Sequence, residues 1–340
     1  MISPLQGGSK RRDRRRRGKF RRRLGRLVAV LVPVAAVVLA WFFISDNGGT
    51  IGGGHATATA GSGAAVKPAK PPLAPPTTPG AKEAVALEAP DTFQLHFKQP
   101  PKAALVFDVK TGRVLWRLNP LQPMPIASIT KLMTALLVAE KTRNSDEVLI
   151  TPDALHYSGS GVGLLPKGRH VTVKALLYGL LLPFGNDAAI ALADHVAHTQ
   201  PRFVRMMNAK AASLGLKCTH YVSPHGLEPG NHSCAADLAA LSRIVLQHAR
   251  LATIVRSAHA VVRFPIKGGK LWLNNTNPLL RMGYPGTIGL KTGDTDEAGH
   301  CLIAVVKHGS RTVGVVLLNS PNPQQQARSL LAKAFRADRS

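Results

Sequence analysis

Ser128-Ile-Thr-Lys131, Phe184-Gly-Asn186 and Lys291-Thr-Gly293 stand in an order and spacing that imply acyl transfer through a serine. They supply a hydroxyl, an amine three residues on, a carboxamide and a second amine. A Ser-x-x-Lys pair alone is weak evidence, since both residue types are common and about one such pair is expected by chance in a chain this long. Placement strengthens it. On a helix, positions i and i+3 share a face, so the Ser128 hydroxyl and the Lys131 amine can meet. Ser128 also follows Pro123-Met-Pro125, near a helix start where backbone N–H groups favour developing negative charge. The bland alternative makes Ser128 a cap and Lys131 a surface charge. Against it, Lys131 is set among Ile129, Leu132, Met133 and Leu136, where an unpaired charge is costly.

For Lys131 to take the Ser128 proton it must be neutral, yet a free lysine titrates at about 10.4. Burial and a second nearby cation both lower that value. Lys291 is the expected cation. One lysine is then lowered into a base while the other stays charged to hold an anion.

These residues need a frame. Residues 103–109 and 113–118 read as apolar strands joined at Lys110-Thr-Gly112, a hairpin signal. Residues 127–140 read as a helix apolar on nearly every side, and therefore buried. Four more helices are predicted over 172–182, 187–198, 201–214 and 235–247. Strands follow over 287–291, 300–307 and 311–318, and an amphipathic helix over 324–335. Strands at both ends with helices between them suggest one sheet assembled from the two termini, not two domains.

The preceding 90 residues are unlike this. Residues 10–26 hold twelve Lys or Arg against one Asp, and residues 27–44 contain no charge and end in Trp41-Phe-Phe43 and Ile44. Eighteen helical residues span about 27 Å, enough for a bilayer core, with the aromatics at its interface. A cleaved leader would have a shorter apolar run and a nearer small-x-small site than Ala56-Thr-Ala58. The reading is a basic cytoplasmic tail (1–26), a single transmembrane helix (27–44) with its amino terminus inside, and a chain continuing outside the cell membrane. Nucleic acid is not the expected partner of the basic run, because an uncharged apolar span follows it immediately and Phe20 is its one aromatic. Residues 45–90, rich in Gly, Ala, Pro and Thr, read as a disordered linker. It would reach roughly 40 Å as a coil or about 140 Å if extended. Residues 91–340 form the expected catalytic domain. That domain is itself basic, with 29 Lys or Arg against 14 Asp or Glu, and would be drawn to anionic polymers.

Three cysteines are too few for a disulfide scaffold. Cys218, His220, His225, His232 and Cys234 fall close together, and three states fit them: a Cys218–Cys234 disulfide, two free thiols, or zinc ligation. The spacing matches no common structural zinc pattern, so the disulfide is the favoured reading and no metal or cofactor is expected. Cys301, in an apolar alternating run, reads as a buried thiol.

The stretch Ile126-Ala-Ser-Ile-Thr-Lys-Leu-Met-Thr134 resembles the nucleophile segment of serine-type D-alanyl-D-alanine carboxypeptidases, the low-molecular-mass penicillin-binding proteins. Leu165-Pro-Lys-Gly168, Gly185-Asn-Asp-Ala-Ala189, Asn208-Ala-Lys210, Ser223-Pro-His-Gly-Leu227, Asn275-Thr-Asn277 and Gly289-Leu-Lys-Thr-Gly-Asp-Thr295 also resemble family segments, in the family's order. The resemblance covers roughly residues 95–337. It implies an α/β (α+β) fold of the β-lactamase/transpeptidase-like kind, a three-layer domain whose antiparallel five-stranded sheet carries helices on both faces. It implies a peptidoglycan stem peptide ending in D-Ala-D-Ala as substrate and β-lactams as covalent inhibitors. By the same resemblance Ser128 is the nucleophile, Lys131 the general base, and Asn186 a ligand of substrate or of Lys131. Lys291 and Thr292, with Gly293 and Asp294 after them, would hold the terminal carboxylate. The N–H groups of Ser128 and Asp294 would form the oxyanion hole.

One position departs. The family usually has Ser-Gly-Asn where this chain has Phe184-Gly-Asn186. That serine relays a proton toward the leaving group, and Phe cannot. Either a water or Ser160 substitutes, or turnover is slow and the protein mainly binds stem peptides. Phe184→Ser is accordingly expected to raise turnover. A class A β-lactamase shares the first and third motifs but needs a deacylating Glu. Between Asn186 and Lys291 there is only Glu228, in a segment of carboxypeptidase pattern.

Overall fold

In Ala103–Asp108, five successive apolar residues leave no surface to solvent, which a strand achieves only when both faces of its sheet are covered. The computed structural model describes residues 84–162 and 164–337. The expected cytoplasmic tail, transmembrane helix and most of the linker lie outside them. Among the described residues no single helix is long and apolar enough to cross a membrane.

Along the chain, β1 (Ala103–Asp108) and β2 (Val114–Leu118) form the first hairpin, and β3 (Met124–Pro125) leads into a 3₁₀ turn over Ala127–Thr130. There follow α1 (Lys131–Lys141), β4 (Glu147–Leu149), α2 (Pro152–Leu155), β5 (His170–Thr172), α3 (Val173–Leu181), α4 (Asn186–Ala197) and α5 (Gln200–Ser213). Next come β6 (His232–Ser233), α6 (Ala235–Gln247), α7 (Ala249–Val255), β7 (His259–Arg263), β8 (Lys270–Asn274) and α8 (Pro278–Arg281). The chain closes with β9 (Thr287–Gly293), β10 (Cys301–His308), β11 (Arg311–Leu318) and α9 (Pro323–Ala337).

Five strands make one antiparallel sheet in the order β2-β1-β11-β10-β9, so the two ends of the domain meet at its centre, Ala103 opposite Leu318. Alternation sorts the faces. Ala104, Val106, Leu302, Ala304, Val313 and Val315 pack under α9 through Ala327, Leu330, Leu331 and Ala334. Leu105, Phe107, Ile303, Val305 and Val316 point the other way, into a larger core with α1, α3, α4 and α6. The expected sheet, with helices on both faces, is present.

Three local features differ from expectation. The helix predicted over 127–140 opens instead with the 3₁₀ turn, so Ser128 precedes α1. Strands β7 and β8 pair as a hairpin, and α7 follows α6 across His248, none of which the sequence pattern had marked. Finally, residues 84–90, placed in the linker by composition, lie against the body. Ala86 bridges Arg113, the Arg243 guanidinium donates to the carbonyls of Ala84, Val109 and Lys110, and Arg117 donates to Leu87 and Ala89.

Cys218 and Cys234 are joined in a disulfide, so their thiolates are not offered to a metal. Closing a loop of this length contributes about 3 kcal/mol. A Cys218→Ser, Cys234→Ser double variant should lose about that much in urea unfolding, while thiol titration of the denatured wild type counts one free cysteine, Cys301.

Candidate active site

The 3₁₀ turn fixes the first contact. With three residues per turn, side chains at i and i+3 eclipse, and the Lys131 Nζ lies 2.9 Å from the Ser128 Oγ. Lys131 sits at the first position of α1, and every residue from Lys131 to Ala139 is buried. Its ammonium group has two further acceptors, Asn186 Oδ1 at 2.7 Å and the His225 carbonyl at 2.6 Å. Burial pushes the Lys131 pKa down from 10.5 to about 7, against the opposing pull of the Asp187 and Glu228 carboxylates. The cause is therefore desolvation first, rather than the second lysine. Repulsion between the lysines instead reinforces burial at Lys291, which is held well below its ordinary value.

Asn186 opens α4 and is itself fixed: its Nδ2 donates to the Ser158 carbonyl at 2.9 Å, and its N–H to the Ser160 carbonyl at 3.0 Å. Asp187 accepts the Val162 N–H at 2.8 Å, tying the 158–162 loop to the same turn. Phe184 enters that turn at φ 71°, an uncommon conformation for a bulky residue. Its ring lies under the Lys291 Nζ, 3.7 Å from centroid to nitrogen.

Strand β9 is the outer strand of the sheet, so one row of its backbone groups has no partner strand within it. Lys291 is buried, and its Nζ donates to the Thr292 carbonyl at 3.1 Å. The Thr292 hydroxyl is 2.7 Å from that of Thr276, in the loop after β8. Gly293 is required by close approach: a Cβ there would lie 2.6 Å from the Ile126 carbonyl and 3.3 Å from the Ile129 nitrogen. Its bare backbone thus brings the end of β9 against the nucleophile turn. Asp294, just beyond, is exposed and pairs with His300 at 3.0 Å.

Ser128, Lys131 and Asn186 therefore meet directly, and Lys291 to Gly293 flank them on the adjoining strand. The sequence marks the segments that hold the His225 carbonyl, Asp187 and Thr276 but assigns these groups no role in the site. The Ser223–Leu227 turn holds that carbonyl through Gly226, at φ 86°, where a Cβ would lie 2.1 Å from the Ala127 carbonyl. Gly226→Ala should cost about 2 kcal/mol or more in urea unfolding, and slow acylation of Ser128 by a fluorescent penicillin as the His225 carbonyl leaves Lys131.

The family profile described as D-alanyl-D-alanine carboxypeptidase matches residues 92–322. The D-alanyl-D-alanine carboxypeptidase DacF of Bacillus subtilis is 36% identical over 243 residues, covering 69% of this chain and 62% of that protein. The chain thus spans about three fifths of this relative's length. Among solved structures, the Streptomyces K15 DD-transpeptidase superposes with a TM-score of 0.67 at 30% identity, covering 72% of this chain and 100% of that one. A D-alanyl-D-alanine carboxypeptidase from Mycobacterium tuberculosis superposes with a TM-score of 0.66 at 31% identity, covering 74% and 96%.

Proposed function

The chain belongs to the D-alanyl-D-alanine carboxypeptidase family, and from that premise we propose that it removes the terminal D-Ala of peptidoglycan stem peptides through an acyl-enzyme on Ser128. The observation that carries this reading is the buried Lys131 amine, 2.9 Å from the Ser128 hydroxyl and lowered to about 7. Near neutral pH a large share of it is unprotonated, which is the state a general base must occupy.

The steps follow from the contacts. Ser128 Oγ attacks the carbonyl of the penultimate D-Ala while its proton passes to Lys131 Nζ. The Ser128 and Asp294 N–H groups would stabilise the tetrahedral oxyanion. Collapse breaks the peptide C–N bond, and Lys131 returns the proton to the departing amine. Water then attacks the ester, with Lys131 again taking a proton, and Ser128 is regenerated. Two moderate barriers replace one high one. The terminal carboxylate lies at Lys291 and Thr292, and the extended peptide bonds along the outer edge of β9 in the manner of an added strand. Because Lys131 completes the proton cycle, loss of the family serine at Phe184 slows the reaction without abolishing it. That favours the catalytic reading over a protein that merely binds the wall.

The proposal extends to place. Residues 27–44 anchor the chain in the cell membrane, amino terminus inside, and residues 45–83 carry the domain toward the wall. Two features support this: the uncharged apolar run, and the twelve Lys or Arg before it.

The full chain in detergent should release free D-Ala from a pentapeptide ending in D-Ala-D-Ala. After exposure to penicillin it should gain the mass of one β-lactam on the peptide containing Ser128. An adduct elsewhere, or none, overturns the proposal.

A further inference from the structure

The β7–β8 hairpin shows solvent a face that carries Trp272, the most exposed large hydrophobic side chain among the described residues. Register pairs His259 with Asn274, Val261 with Trp272 and Arg263 with Lys270. All six side chains are exposed, while Val262, Leu271 and Leu273, from the alternate positions, are buried beneath. Trp272 is 73% exposed and Val261, directly across from it, 44%. The result is a flat strip with an indole at its centre, two cations at one end and an amide and an imidazole at the other.

Charge around the strip is one-sided. From Leu238 to Gly293 the sequence contains eight Lys or Arg and no Asp or Glu, and although Arg243 and Lys291 are buried, Arg263 and Lys270 lie exposed on the strip itself. Lys267 adds a cation at the hairpin turn. Position matters as well. The chain leaves β8 directly into Thr276, whose hydroxyl meets Thr292, so Trp272 lies no more than about 14 Å of extended chain from a residue that touches the site.

We infer that this face docks the glycan strand of the wall polymer whose stem peptide occupies the Ser128 site. The inference deepens the carboxypeptidase reading and rests on it. A pyranose ring offers a flat face of C–H bonds that stacks on an exposed indole, as other apolar faces do on aromatic rings. Its hydroxyl and acetamido groups bond to Asn274 and His259. Carboxylates on neighbouring stem peptides meet Arg263, Lys270 and Lys267, which matches the one-sided charge. A lipid surface also favours Trp beside Lys and Arg, but it would be met by a protruding apolar tip. Here the loop is Phe264-Pro-Ile-Lys-Gly-Gly269, in which Phe264 is buried, Ile266 packs against the core and only Lys267, Gly268 and Gly269 are exposed, and the indole lies on the flat of the sheet.

The test compares the full wild-type chain with Trp272→Ala and Trp272→Tyr in detergent. Four probes are used: a soluble pentapeptide, insoluble wall, wall glycan stripped of peptide, and phosphatidylglycerol vesicles. Trp272→Ala should turn over the soluble peptide within about twofold of wild type. Its D-Ala release from insoluble wall and its binding to stripped glycan should fall roughly tenfold, and Trp272→Tyr should restore most of both. Vesicle binding should not change. Unchanged glycan binding and wall turnover in Trp272→Ala overturn the inference, as does a loss confined to vesicles or a wild type that ignores stripped glycan. If the wild type binds glycan through Trp272 yet releases no D-Ala from soluble peptide, the carboxypeptidase reading falls and the docking face stands.

Discussion

Replacing Lys131 by Met should slow acylation of Ser128 about 10²–10⁴-fold, the range typical of a lost general base, while leaving the domain folded. Met fills nearly the same channel without a charge. The Asn186 Oδ1 and His225 carbonyl lose their shared donor, which costs roughly 1–3 kcal/mol for each buried acceptor. Freedom from burying an ammonium group offsets much of this. The pH dependence is the sharper readout. Wild-type acylation should rise as pH increases through about 7, where Lys131 gives up its proton, and then level off. The Met variant should show no such rise. Stability is linked to the same group. Between about 7, its folded value, and 10.5, its ordinary one, the unfolded chain binds the proton more strongly. Lys131 therefore makes unfolding harder as pH rises across that window, and its penalty is fully present below it. Urea midpoints should show this slope in the wild type and lose the Lys131 part of it in the variant. Stopped-flow acylation with a fluorescent penicillin between pH 6 and 9 decides the matter, and a flat wild-type profile would remove Lys131 as the base.

How much of this was legible beforehand depends on the kind of group. Ser128 and Lys131 were legible because their spacing brings them together in either an α-helix or a 3₁₀ turn, and the wrong choice between the two did no harm. The central sheet was legible because β1, β10 and β11 are runs of apolar residues that only a covered sheet accommodates. The His225 carbonyl was not, since every residue has a carbonyl and no side-chain type reports where one points. Its trace in the sequence is Gly226, whose left-handed backbone aims it. The β7–β8 hairpin went unnoticed because each strand has only five residues and its solvent face carries Val261 and Trp272, which blurs the alternation. Residues 84–90 read as linker because their order comes from acceptors on the backbone, held by Arg117 and Arg243 and independent of their own composition.

Phe184 is where sequence and structure together say more than either alone. Sequence records a lost hydroxyl; the structure adds that the ring faces the Lys291 Nζ at 3.7 Å. A desolvated cation over an aromatic face is worth about 2 kcal/mol, and it opposes the burial and repulsion that push Lys291 toward its neutral form. Once Lys131 is neutral, near pH 7, repulsion, the smaller of the two causes, is relieved, and the ring favours the charged form of Lys291 that the proposed carboxylate site needs. Phe184→Leu keeps the bulk without the π face, and should raise KM for a peptide ending in D-Ala-D-Ala by about 10- to 30-fold with little change in kcat. Phe184→Tyr should preserve KM. Phe184→Ser exchanges one effect for the other. A hydroxyl able to carry the proton to the leaving amine should raise kcat, while the missing ring should raise KM as in the Leu variant. Michaelis kinetics on one peptide across the three variants separate the effects, because the two constants of the Ser variant rise together. An unchanged KM in Phe184→Leu would deny the ring its hold on Lys291. A lower kcat in Phe184→Ser would show that this site does not lack a relay.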